Sequence, residues 1–79
     1  MEIPYKGFVL KSAPEHLRDS GHWSVRVLIT KHHENGVKEK FCSASNTFPD
    51  KAEAENHSIE FGKQVVDGRY QNATVADLL

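Results

Sequence analysis

Trp23 to Thr30 alternates apolar and polar residues, with Trp23, Val25, Val27 and Ile29 on one side and Ser24, Arg26, Leu28 and Thr30 on the other. A period of two is the signature of a β-strand with one covered face. Asn35-Gly36 follows and supplies the positive φ angles that a tight hairpin turn favours. The return strand, Val37 to Ala44, places Val37, Phe41 and Ser43 on the expected core face and Lys38, Lys40, Cys42 and Ala44 opposite. Glu39 then points inward with Val37 and Phe41, which calls for an edge position or a register-shifting bulge. Upstream, Tyr5 to Ser12 reads as a first strand, and Pro14 makes pairing beyond it unfavourable. Residues 13–22 gather Pro14, Asp19, Ser20 and Gly21 and read as a loop, with room for a helical turn at 15–18.

Downstream of the hairpin the period changes. Ala54, Ser58, Phe61 and Val65 recur at helical spacing and form one stripe. Thr47 or Asp50 is the expected N-cap, Glu53 sits at the capping-box position after Asp50, and Asp67-Gly68 closes the helix. Gly62, next to Phe61, lets the helix approach the sheet. The expected architecture is α+β in the order β-β-β-α: a three-stranded antiparallel sheet packed on one C-terminal helix. It forms a single domain over 1–79, with strands near 5–12, 23–32 and 37–44, a helix near 50–67 and a tail over 69–79. The core is expected from Phe8, Leu10, Trp23, Val25, Val27, Ile29, Val37 and Phe41.

Composition narrows the function classes. The chain has 79 residues, 38% hydrophobic and 27% charged, with a formal net charge of -1. That total gives no global attraction to nucleic acid or membrane. No run is long enough to span a bilayer. Residues 1–10 lack the pattern of a secretory signal. The single cysteine, Cys42, excludes an internal disulfide. The expected setting is the cytoplasm. Charge is nevertheless uneven: residues 5–44 sum to +3 and residues 45–79 to -3.

The sheet face away from the helix is the first candidate surface. It is expected to carry Arg26, Lys38 and Lys40, with Lys11 beside them if the first two strands pair, and Leu28 among them. Such a face can neutralise phosphates, or serve as a protein-binding or self-association patch. A solvated face of this composition is also common. His32 and His33 are neighbours in a strand, so they point apart and chelate poorly together. His57 lies on the helix with Glu53 and Glu60 within charge-pair distance. Cys42 has Lys40 and Arg26 as cationic neighbours that would lower a thiol pKa. None of these reaches a catalytic or metal-binding constellation, and no cofactor is expected.

The segment Gly21-His-Trp-Ser-Val-Arg-Val, the Asn35-Gly36 turn and Asn46-Thr-Phe-Pro-Asp-Lys-Ala-Glu-Ala54 together resemble the arm-type DNA-binding domains of phage-type tyrosine recombinases. The likeness covers residues 21–66. It implies a three-stranded sheet resting on a helix and inserting its open face into the major groove, through Arg26, Lys38 and Lys40 with Ser24 and Thr30 beside them. The chain departs from that family in its mild acidity, its long 13–22 loop and the lack of a recombinase catalytic domain. Over nearly its whole length, from Gly7-Phe8 to Val75-Ala-Asp-Leu78, the chain resembles small stand-alone bacterial β-β-β-α proteins of unassigned function. The expected role is a non-enzymatic binding module, monomeric or weakly dimeric. Its expected partner is nucleic acid or, alternatively, another protein or a second copy on the same face.

Overall fold

The computed structural model describes residues 1–71 and 73–79. Four strands precede the helix: β1 (Glu2–Tyr5), β2 (Phe8–Ser12), β3 (Trp23–His33) and β4 (Gly36–Phe48). They form one antiparallel sheet in sequential order. Helix α1 (Lys51–Val66) packs on one face, and a 3-10 turn, η1 (Ala76–Leu78), completes that layer. The α+β class and the C-terminal helix agree with the sequence. The strand count differs, because the segment read as one strand from residue 5 is a hairpin. Lys6 and Gly7 take positive φ angles of 49° and 86° and turn the chain between β1 and β2. Pro4 sits on the outermost strand, opposite Val9, where the sheet has no further neighbour to need its missing N–H.

Pairing also resumes beyond Pro14, contrary to the sequence expectation. Ala13 N–H donates to the Arg26 carbonyl, Ser24 N–H donates to the Glu15 carbonyl, and an isolated bridge joins His16 to Trp23. The 13–22 segment is therefore a ragged continuation of the β2–β3 hairpin, closed where Gly21 N–H donates to the Leu17 carbonyl. Antiparallel pairing tolerates the proline here because the bonds to β3 run through Ala13 and Glu15 on either side of it.

The register of β4 overturns part of the expected core. His33 pairs with Gly36 across the Glu34-Asn35 turn, and Gly36 alone of that pair of turn candidates has a positive φ. A two-residue turn sets each odd-numbered residue of β3 opposite an even-numbered residue of β4. Val27 faces Cys42, Ile29 faces Lys40 and Leu28 faces Phe41. Directly opposite residues share a face. With Val25, Val27 and Ile29 inward, Cys42 and Ala44 must follow, and Val37, Glu39, Phe41 and Ser43 turn outward. Phe41 is 55% exposed and Val37 53% exposed, so neither belongs to the core. Farther along, Ser24 pairs with Thr47 while Val25 pairs with Ala44, leaving Ser45 and Asn46 in a bulge of β4.

The core consists of Phe8, Leu10, Val25, Val27, Ile29 and Cys42 from the sheet, Ile59, Phe61 and Val65 from the helix, and Leu78 from η1. Trp23 lies at its margin, half-buried, stacked on His16 at 4.6 Å with the Lys51 ammonium 5.4 Å from its ring. Asp50 is the N-cap and accepts from Ala52 N–H at 3.1 Å. Beyond Asp67, Gly68 takes a positive φ of 78° and the helix ends in backbone bonds to the Gln64 and Val65 carbonyls. Gly62 lies against the sheet so closely that a Cβ there would stand 3.0 Å from Val27 Cγ2. Ser58, fully buried, donates to the Ala54 carbonyl and accepts from Arg26 N–H, tying the helix to β3.

Candidate interaction surface

The helix covers one face of the sheet, and among the described residues no layer lies over the other face. Strand register arranges this open face in rows. One row runs Glu2, Lys11, Leu28, Phe41; the next runs Pro4, Val9, Thr30, Glu39. Arg26 and Ser43 flank the first row, and His32 and Val37 flank the second. Leu28 and Val9 are half-buried, while Phe41 and Val37 stand exposed. The Arg26 guanidinium lies 4.4 Å from the centre of the Phe41 ring, its Nε donates to the Ala13 carbonyl at 2.9 Å, and its Nη1 meets Glu15 at 2.7 Å. Arg26 is thus held in place and largely neutralised. Among the described residues Glu39 is held only by a long contact from the Thr30 hydroxyl, at 3.4 Å.

Of the five residues singled out from the sequence, Lys11, Arg26 and Leu28 share this face. Lys38 and Lys40 do not, because the parity of β4 carries them to the helix side. Lys40 there donates to the Thr74 carbonyl at 2.9 Å and to Asp77 at 3.0 Å, pinning the C-terminal segment under the sheet. That hydrogen bond is the main reason the Asp77 carboxyl is held below the usual carboxylate range, with Lys38 adding to the effect. Lys38 stands opposite Lys31, but Lys31 turns away, to the Gly7 carbonyl and the Phe8 ring.

A second pair, Lys6 with Asp67 at 2.6 Å, likewise joins the sheet half to the helix half. The opposed charges of the two halves are therefore partly used inside the fold. Their separation in sequence reflects which element carries which partner of an ion pair.

Of the other candidates, Cys42, His33 and His57 lie on the helix side of the sheet and His32 on the open face. Cys42 is buried, and desolvation pushes its thiol pKa up against the weaker opposing influence of Lys40. It is a packed strand residue without thiolate character. His33 bonds the Leu78 carbonyl at 2.7 Å, which requires the ring nitrogen to donate. His32 turns to the open face. His57 stacks on Phe48 at 4.1 Å beside a cleft of about 100 Å³ between α1 and β4, lined in part by Asn46, Glu60, Gln64 and Tyr70. That volume suits a few water molecules. Among the described residues no group of three His, Cys, Asp or Glu side chains is placed to hold a metal ion, and no helix is long and apolar enough to cross a membrane.

Val37, Phe41, Lys38 and Lys40 all lie on the opposite face from the one that hydrophobicity suggests, and the signal for them is the turn. Any two-residue loop after a strand with odd positions inward puts odd positions of the next strand outward. No protein-family model, curated protein or solved structure matches the chain. The chain is a small domain of one four-stranded antiparallel sheet packed on one C-terminal helix.

Proposed function

We propose that this domain is a non-enzymatic cytoplasmic binding module that contacts another protein through the open face of its sheet. The observation that carries the reading is Phe41, 55% exposed beside Leu28, with Val9 diagonal to Leu28, on a face that no other described residue covers. An isolated exposed apolar residue has no meaning of its own, but a contiguous aromatic and aliphatic patch ringed by charges is the composition of a contact surface. The charges on this face are mixed, with Lys11 and Arg26 against Glu2, Glu15 and Glu39, and mixed charge suits protein recognition.

Nucleic acid on the same face is the second reading. It retains Lys11 and Arg26, an exposed ring on which a base can stack, and the pattern shared with recombinase arm domains. It loses the phosphate contacts expected of Lys38 and Lys40, and Arg26 is already engaged by Glu15. Those losses put protein first.

A photo-crosslinking side chain at position 41, compared with one at the exposed helix position Asn56, tests the reading in the intact chain. Protein adducts at 41 and none at 56 are expected. Nucleic-acid adducts at 41 would establish the second reading instead. Equal labelling at both positions, or none at 41, would overturn both.

A further inference from the structure

We infer that the occupant of the open face is a second copy of this chain, packed sheet to sheet; this rests on the protein-binding reading above. Two routes to self-association are open to a small sheet, edge to edge or face to face. The edges are guarded. β1 is 4 residues long and contains Pro4. β4, the longer edge, carries Lys38, Glu39 and Lys40 in succession and is bent by the bulge at Ser45-Asn46. Short strands, proline, charged side chains and bulges are the devices that keep edges from pairing. The open face has no such protection at its centre, where Leu28 and Phe41 adjoin.

The face is also complementary to itself. β3 is its midline, with β2 on one side and β4 on the other. A two-fold axis running along β3, in the plane between two sheets, keeps each row at its own level and exchanges β2 with β4. Leu28 then meets the partner's Leu28. Lys11 covers the partner's Phe41, and Val9 lies over the partner's Glu39. On β4, Glu39 and Phe41 are two residues apart, so the Lys11 ammonium reaches the partner's Glu39 one row away. The symmetry repeats both contacts. Arg26, close to the axis, is neutralised by its own Glu15. Sheets packed this way stay within about 30° of alignment, so the row-to-row contacts persist across the centre.

The area is small. With the axis along β3, β1 falls outside the overlap, and the 11 residues of β3 with the 5 of β2 over β4 on each side give facing sheet of roughly 330 Å², at about 4.8 Å between strands and 3.3 Å per residue. A standard interface buries about 800 Å² per partner. The dimer should therefore be weak and dissociate on dilution from near-millimolar concentration.

Sedimentation of the full chain from low micromolar to near-millimolar concentration tests this. Wild type is expected to pass from the 8.9 kDa monomer to twice that mass. Phe41→Lys is expected to stay monomeric with an unchanged circular dichroism spectrum, because its side chain is outside the core. Lys11→Glu and Glu39→Lys should each weaken association about tenfold, and the two together should restore it. Restoration by the double reversal is specific to a face that meets itself with β2 over β4. A wild type that is monomeric at every concentration overturns the dimer, as does association indifferent to Phe41→Lys or a double reversal weaker than either single one. Crosslinks from position 41 to a different protein in a strictly monomeric chain would overturn the dimer while upholding the broader reading. The absence of crosslinks at 41 would remove the broader reading as well.

Discussion

The two faces of this sheet are built from the same strands, often from adjacent residues, yet they do different physical work. Ile29 and Leu28 are neighbours in β3. Ile29 is fully buried under the helix, and Leu28 is half-buried on the open side. On β4 the contrast is sharper: Cys42 packs in the core while Phe41, one residue away and much larger, stands 55% exposed. A folding requirement alone would place the larger apolar group inward. Its outward position is set by the hairpin register, which leaves an exposed aromatic ring on the open face. Apolar residues on the covered face should therefore determine stability, and those on the open face should determine association.

The sharpest way to break that comparison is to truncate one residue on each face. Leu10→Ala removes a fully buried side chain and should cost about 2–5 kcal/mol. That is a large fraction of the whole stability of a domain this size, roughly 4–12 kcal/mol. Phe41→Ser should cost under about 1 kcal/mol, through loss of the Arg26 contact and strand propensity. Urea denaturation of both variants measures the difference, and equal costs would mean that Phe41 is packed as a core residue.

Two changes at the helix–sheet seam sharpen the same contrast. Gly62→Ala places a methyl 3.0 Å from Val27 Cγ2 and 3.3 Å from Leu10 Cδ1, and should cost about 1–3 kcal/mol by overpacking. On an exposed helix position the same substitution would stabilise. Ser58→Ala leaves the Arg26 N–H without its acceptor and should also cost about 1–3 kcal/mol. Amide exchange at Arg26 should rise with it. If that amide stays protected, another acceptor has taken the bond.

Much of this was legible in the sequence, and the unread parts have physical causes. The alternation in β3, the helical stripe of Ala54, Ser58, Phe61 and Val65, the Asp50 cap and the close approach at Gly62 are local patterns, and each appears in the fold. The first hairpin was hidden because β1 is short and contains proline, so its period is too brief to count. Its only marker was Lys6-Gly7. The pairing past Pro14 is invisible to a rule that treats proline as a terminator, since it depends on which N–H groups face the neighbour. Hydrophobicity points Phe41 and Val37 inward, whereas the parity of the turn sends them outward. The same reading puts Lys38 and Lys40 on the open face and enlarges its apparent basic character. Two strong signals disagreed there, and the covalent one, the number of residues in the turn, prevailed.

The smallest expected effect lies where the two halves are tied together by charge. Asp67 accepts from the Lys6 ammonium at 2.6 Å and from the Tyr5 hydroxyl at 2.8 Å. Its carboxyl is held below the usual range, first by the hydrogen bond from Lys6 and then by that from Tyr5. Asp77 is lowered in the same direction, chiefly by the bond from Lys40. A folded-state pKa below the unfolded value means that the unfolded chain binds the proton more readily. The contribution is complete above the unfolded value, about 3.9 for aspartate, and disappears as pH falls through the lower folded value. Lys6 carries the mirror effect: its pKa is raised by Asp67, so its share is present at neutral pH and lost as pH climbs through the raised value. Each pair has one well-exposed partner, Lys6 in one and Asp77 in the other, so the effect is modest and weakens with salt. Asp67→Asn should flatten the acid limb of the stability curve between pH 5 and pH 2, relative to wild type, while leaving sedimentation unchanged. A variant that keeps the wild-type acid slope would show that Asp67 titrates alike in both states. One that loses self-association would show that the covered side of the molecule reaches the contact surface after all.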